Sequence, residues 1–330
     1  MEAPNEIDIM FSEVLFEITV EKERYIWNKY MINTFFFPKN KCPKCSSISM
    51  KLNNNDSIFN PIINRCSSKH CRKICNLREE TFFAKFPKTP ISIILIILRN
   101  WILENKNSTA IYSIIKNKIK NYDVSQIHIN EILYEARIFF AHYLKDKYKL
   151  EDITEIRKNE YVAIDESNFI NIDNKNLWVI GAINTSTKQI RMEVSFERTG
   201  EIMKKFVYTH IQPGNCIVSD DWPAYRWLNT DPNYRHSVHN HGHGDFGYGL
   251  ESTSHIESVW ANLQGILKRL YILIPNHNFL FLREAEIRRN ISSFTRKEKW
   301  MEVISILNYI SNIGLENLYS LDYLFEFTNR

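Results

Sequence analysis

The chain has 330 residues, an apolar fraction of 44% and a net charge of +4. Its longest apolar run, Ile91 to Leu98 broken by Ser92, is far short of the roughly 20 residues a membrane span needs. Glu2 and Glu6 do not read as part of a secretory signal, so a folded, intracellular protein of two or three domains is expected. The charge is uneven: −3 over residues 1–40, +11 over 41–150 and −4 over 151–330. A basic middle section suits a polyanion such as DNA, or is a solvated lysine-rich surface. The acidic C-terminal section needs cations wherever its carboxylates converge.

Residues 6–37 read as one or two helices, with Met10, Val14, Leu15 and Ile18 at near-helical spacing, and 1–40 as an N-terminal helical cap. A zinc ribbon is expected over 41–80. Cys42-Pro-Lys-Cys45 is a knuckle in which two thiolates three residues apart grip one tetrahedral Zn²⁺, and Cys66 and Cys71 supply the second pair. Cys75 and His70 compete with Cys71 as fourth ligand, and Cys71 is preferred. Arg72, Lys73 and Arg78 follow as candidate DNA contacts. A helical domain is expected over 81–155: a buried helix at Ile91–Leu103, one at Ala110–Lys120 capped from Asn107-Ser108-Thr109, and one from Ile127 to about Tyr148. Three helices with a short break before the last resemble a helix-turn-helix unit, against a plain helical linker.

The second half changes character. Tyr161–Ile164, Leu177–Ile183, Ile190–Phe196, Cys216–Ser219 and Arg235–Val238 read as strands. Thr199–His210, Pro223–Leu228, Ser254–Leu273 and Phe279–Phe294 read as helices, and His239–Gly249 as a Gly/His loop. The order β-β-β-α-β-α-β-α resembles a ribonuclease H-like core. The fold class is therefore α/β and multi-domain: a ribonuclease H-like mixed sheet with flanking helices over 156–310, preceded by the ribbon and helical domain and followed by a helical tail at 311–330.

Three carboxylates stand out. Asp165 and Asp220 lie at strand ends, and Glu257 follows Asp220 after 36 intervening residues, on the flank of the helical stripe Ile256, Val259, Trp260, Leu263, Leu267 and Leu270. In the expected fold the first and fourth strands are neighbours, which brings the aspartates together. Such a set suits two Mg²⁺ ions, each retaining waters, that activate a water or a 3′-hydroxyl and stabilise the leaving oxygen of a phosphodiester. Glu166 and Asp221 point to the opposite face and are second choices. Gln264 and Lys268 share the flank of Glu257. The run His236, His239, His241, His243 and Asp245 offers a rival zinc hydrolase site, but it lacks an Asp-His pair after His-x-His. Its histidines, His241 among them, fit better as contacts to DNA.

Ser219-Asp220-Asp221-Trp222-Pro223-Ala224-Tyr225, His236-Ser237-Val238-His239-Asn240-His241 and Ser254-His255-Ile256-Glu257-Ser258-Val259-Trp260-Ala261-Asn262-Leu263 occur in an order that resembles Merlin-type DDE transposases and their insertion-sequence relatives with an ISXO-two-like transposase domain. Cys42 to Cys45 and Arg65 to Lys73 resemble that family's ribbon, with a longer gap inside the second pair, and Glu286 to Asn290 its closing element. The resemblance implies a transposase that nicks transposon ends and joins them to target DNA with Mg²⁺ or Mn²⁺. It places the acidic triad on Asp165, Asp220 and Glu257, and implies terminal inverted repeats and target DNA as partners of a homodimer or larger synaptic complex, in the nucleus of a eukaryotic host or the cytoplasm or nucleoid otherwise. Many bacterial members carry a lysine where this chain has Gln264, although Lys268 lies one turn further on. A catalytically silent or domesticated DNA-binding protein is therefore the alternative.

Overall fold

Thr19 starts the first helix, α1 (Val20–Ile26), by accepting the Lys22 amide on its hydroxyl. This is a computed structural model, describing residues 17–147, 160–172, 175–270 and 275–313. Met10, Val14 and Leu15 of the expected first helix, and the expected tail beyond residue 313, lie outside the described residues. Two compact units emerge, one taking residues 17–139 with 294–313 and the other 140–293.

In the first unit, β1 (Met50–Asn54), β2 (Ile62–Cys66) and β3 (Ile74–Cys75) form a small antiparallel sheet in that order. Two helices follow, α2 (Ile91–Ile102) and α3 (Ser108–Lys118), and a third, α4 (Gln126–Lys147), runs across the boundary between the units. Pro90, at the N-cap of α2, has no capping side chain. The buried carboxylate of Glu23 replaces it, accepting the amides of Ile91 and Ser92 at 3.1 and 3.2 Å. Asn107 caps α3 through the Ala110 amide, and Ser125 caps α4 through that of His128. Phe82, Phe83, Phe86 and Phe139 meet edge to face in the core.

The second unit is built on one mixed sheet. Its strands are β4 (Tyr161–Ile172), β5 (Lys175–Asn184), β6 (Ile190–Ser195), β7 (Cys216–Asp220) and β8 (Arg235–His239), in the order β6-β5-β4-β7-β8. The first three are an antiparallel meander, and β7 and β8 add in parallel. This is the ribonuclease H-like arrangement expected from the element order. Between β6 and β7 runs α5 (Gly200–His210). After β8 comes a small hairpin, β9 (Gly247–Tyr248) with β10 (Glu251–Ser252), then α6 (Ser254–Leu270) and α7 (Pro275–Asn290). The chain then returns to the first unit as α8 (Arg296–Ile313), which packs on α2 and the turn at Phe82–Lys85.

Residue parity sorts the core onto two faces. Val162, Ile164 and Ile217 join Met203, Phe206 and Tyr225 on the α5 face. Ala163 and Val218 join Ile256, Val259, Trp260 and Leu263 on the α6 face. The strand expected over Tyr161–Ile164 is longer, because β5 partners it as far as Ile172. What ends early is its parallel ladder with β7, whose last pair is Ala163 with Val218. β6 is a sheet edge closed by α7: Asn290 accepts the Ile190 amide at 2.7 Å and donates to the Ile190 carbonyl, and Arg283 donates to the Met192 carbonyl.

Candidate active site and cysteine cluster

Two residues beyond the Ala163–Val218 pair, both strands carry an aspartate. Asp165 and Asp220 therefore both fall on the α6 face, two residues past the last pair of neighbouring parallel strands. Burial raises the Asp165 carboxyl to about 7, and the charges of Glu166 and Asp220 push it the same way. Asp220 accepts the Trp222 amide at 3.1 Å, which shapes the turn that leaves β7.

Glu257 lies in the first turn of α6, next to Ile256, which packs on the sheet. The Thr253 hydroxyl donates to its carboxylate at 3.4 Å, and His241 Nε2 lies 3.6 Å from the same oxygen. His241 also bonds Thr253 Oγ1 at 2.7 Å and stacks on Phe246. Glu257 is thus tied to the loop after β8. Its carboxylate does not join those of Asp165 and Asp220 in a group as tight as the cysteine cluster below.

Glu166 points the other way, as parity requires. It is buried, accepts from Arg198 Nε at 2.6 Å and from the Tyr225 hydroxyl, and Arg198 lies 4.0 Å from the Trp222 ring centroid. Burial raises its carboxyl, opposed by Tyr225 and Arg198. The histidines disperse into separate contacts: His236 to Ser219 and Asn229, His239 to Asp245, His241 to Thr253. Among the described residues they form no metal-ligand group.

In the sequence Trp260 belongs to the apolar stripe, and Gly181 carries no signal of its own. The Trp260 indole Nε1–H donates to Asp165 Oδ2 at 2.9 Å, and Gly181 is the partner of Asp165 on β5. The available signal was a tryptophan one turn after Glu257, whose buried N–H requires an acceptor.

In the first unit the sulfurs of Cys42, Cys45, Cys66 and Cys71 all lie within 4.8 Å of one another. Cys42 and Cys71 are 3.6 Å apart, and Cys45 and Cys66 3.7 Å. Cys75 sits in β3 outside this group. Ser49 and the Ser68 amide lower the Cys66 thiol to about 6, favouring the thiolate. Four thiols at tetrahedral reach can hold a metal ion and are consistent with a zinc ribbon.

The other candidate contacts differ in exposure. Arg72 and Lys73 are exposed beside the cluster. Arg78 is not a surface contact: it is fully buried and donates to the carbonyls of Phe86 and Thr89 at 2.9 and 2.8 Å, and to that of Phe59. Its guanidinium satisfies carbonyls from two separate loops. Gln264 is half-buried on α6, and the Lys268 side chain lies outside the described residues. Among the described residues no helix is long and apolar enough to cross a membrane.

Residues 154–290 match the family model described as the ISXO2-like transposase domain. No curated protein matches the chain. Two of the solved structures similar to this chain share 14% identity with it. One is a chain of a simian T-cell lymphotropic virus intasome in complex with PP2A regulatory subunit B56 gamma, with a TM-score of 0.30, covering 57% of this chain and 66% of that one. The other is the HTLV-2 integrase catalytic core domain in complex with magnesium, in its trimeric form, with a TM-score of 0.25, covering 51% of this chain and 97% of that one. The matched stretch contains all five strands of the mixed sheet and Asp165, Asp220, Glu257 and Trp260, so the similarity of this chain to the ISXO2-like transposase domain covers the sheet and the candidate site.

Proposed function

We propose that this protein is a DDE-type DNA transposase that nicks the ends of a mobile element and joins them to target DNA. The observation that carries this reading is that Asp165 and Asp220 fall on one face of neighbouring strands, the face covered by the helix that bears Glu257, within the stretch similar to a transposase domain. The donor set fits Mg²⁺ or Mn²⁺: it offers hard carboxylate oxygens, and its buried aspartate is raised first by burial and then by the negative charges of Glu166 and Asp220. Asp165, Asp220 and Glu257 would hold the ions. When bound, divalent cations supply Lewis acidity to the scissile phosphate and an activated water or 3′-hydroxyl. The protein's own part is orientation. The sheet fixes both aspartates, and the Arg198–Glu166–Tyr225 network braces β4 from behind. His241 and Thr253 hold Glu257 at the rim, where His241 also faces incoming DNA.

The cysteine cluster would take one structural Zn²⁺, with Arg72 and Lys73 contacting DNA phosphates beside it, and Gln264 and Lys268 contacting DNA from α6. Two element ends processed together call for a homodimer or larger assembly. A supercoiled plasmid carrying the terminal repeats should be nicked by the protein with Mg²⁺, and not by Asp220→Asn. Equal nicking by both proteins refutes the assignment. The engagement of the Glu257 carboxylate by Thr253 and His241 favours a second reading, a DNA-binding protein derived from a transposase, which predicts salt-dependent DNA binding with no cleavage under either metal.

A further inference from the structure

Trp260 is 5% exposed, yet its polar atom is aimed at the candidate centre: Nε1–H donates to Asp165 Oδ2 at 2.9 Å. The ring has room there because the sheet offers no side chain beneath it. Gly181 faces Asp165 across the β4–β5 ladder, and a Cβ at Gly181 would stand 2.4 Å from Cη2 and 2.8 Å from Cζ2 of Trp260. Glycine weakens a strand interior, and Gly181 is paired on both sides, with Asp165 and with Met192. The close approach of the indole accounts for its presence.

A carboxylate rotates readily about its last torsion. Beside Asp220 and Glu166 it is driven by like charge to turn away. A lysine or arginine would hold it but would compete with a cation for its charge. A neutral indole donor fixes the carboxylate plane and leaves the charge in place. We propose that Trp260 is a positioning residue that presets Asp165 as a divalent-cation ligand beside Asp220, and that Gly181 admits the indole for this purpose. The proposal rests on reading Asp165 and Asp220 as cation ligands.

The test uses the zinc-loaded full chain and reads Mn²⁺ binding by electron paramagnetic resonance. Wild type should bind Mn²⁺ more tightly than Asp165→Asn. Trp260→Phe and Gly181→Ala should each weaken binding by about tenfold, the size expected for loss of an outer-shell partner, and the double variant should be no weaker than either single one. Mg²⁺-supported nicking should fall further than Mn²⁺-supported nicking, because Mg²⁺ is more exacting about ligand geometry. If wild type and Asp165→Asn bind Mn²⁺ alike, the cation reading itself fails. If wild type binds more tightly than Asp165→Asn and Trp260→Phe matches wild type within about twofold, the positioning role is overturned and the site survives. Both substitutions alter packed residues, so an indole spectrum provides a readout without them. Of the seven tryptophan indole N–H signals, one should move on Asp165→Asn in ¹⁵N-labelled protein. No movement overturns the proposal.

Discussion

Asp165 and Glu166 are neighbours in the chain and lie on opposite faces of the sheet. Asp165 accepts from Trp260 under α6, and Glu166 accepts from Arg198 and Tyr225 on the α5 side. Their substitutions should separate accordingly. Glu166→Gln weakens a buried, charge-assisted pair and should cost about 1–3 kcal/mol of stability. Asp165→Asn should abolish nicking without that loss. Urea unfolding of the two variants beside the plasmid assay distinguishes them.

The raised carboxyl of Asp165 gives the metal-free protein a pH signature. Its folded value of about 7 lies above the ordinary value of 3.8, so the folded state binds the proton more tightly. Stability contributed by the protonated form is present below about pH 4 and is lost as pH rises towards 7, an effect on the order of 2–4 kcal/mol. In zinc-loaded protein without Mg²⁺ or Mn²⁺, denaturation midpoints should fall across that window for wild type, and Asp165→Asn should flatten the slope. Added Mg²⁺ should restore stability at neutral pH.

The closure of the sheet edge by α7 is a separate unit of stability. Arg283 donates to Glu193 Oε2 and Glu286 Oε2, each at 2.6 Å, and burial of Glu193 is outweighed by Arg283 and His210, which hold its carboxyl at about 2. Arg283→Ala leaves two buried carboxylates without this partner and should cost about 3–5 kcal/mol. Asn290→Ala removes both bonds to Ile190 and should cost about 1–3 kcal/mol. Guanidinium unfolding with unchanged slope measures both.

The basic residues near the cysteines should divide into two classes. Arg72→Ala and Lys73→Ala should each lower DNA affinity and reduce the slope of log K against log salt by about 0.9. Arg78→Ala should destabilise the first unit, because three carbonyls lose their donor. Fluorescence titrations at several salt concentrations, with thermal melts alongside, test both statements.

Removal of metal from the cysteine cluster should unfold the small sheet. One ion per chain is expected by elemental analysis, and Cys66→Ser should lose it. Retention of the metal by Cys66→Ser contradicts the four-thiolate assignment.

Much of this fold was legible in the sequence because its signals are local. Short apolar runs marked the five strands of the sheet, the Asn107-Ser108-Thr109 cap marked α3, and paired cysteines marked the cluster. Parity alone separated Asp165 from Glu166. Other features depend on contacts between residues far apart in the chain. Arg78 read as a surface cation because composition cannot reveal that three carbonyls surround it. Gly181 carried no signal of its own, and Trp260 fitted a core stripe equally well. The length of β4 was hidden because its partner β5 sets where it ends. The sequence by itself determined the order of elements and the residue types available for chemistry. Only the tertiary structure decided which carboxylate faces which helix and which donor holds it, because a glycine 79 positions upstream makes the space through which Trp260 reaches Asp165.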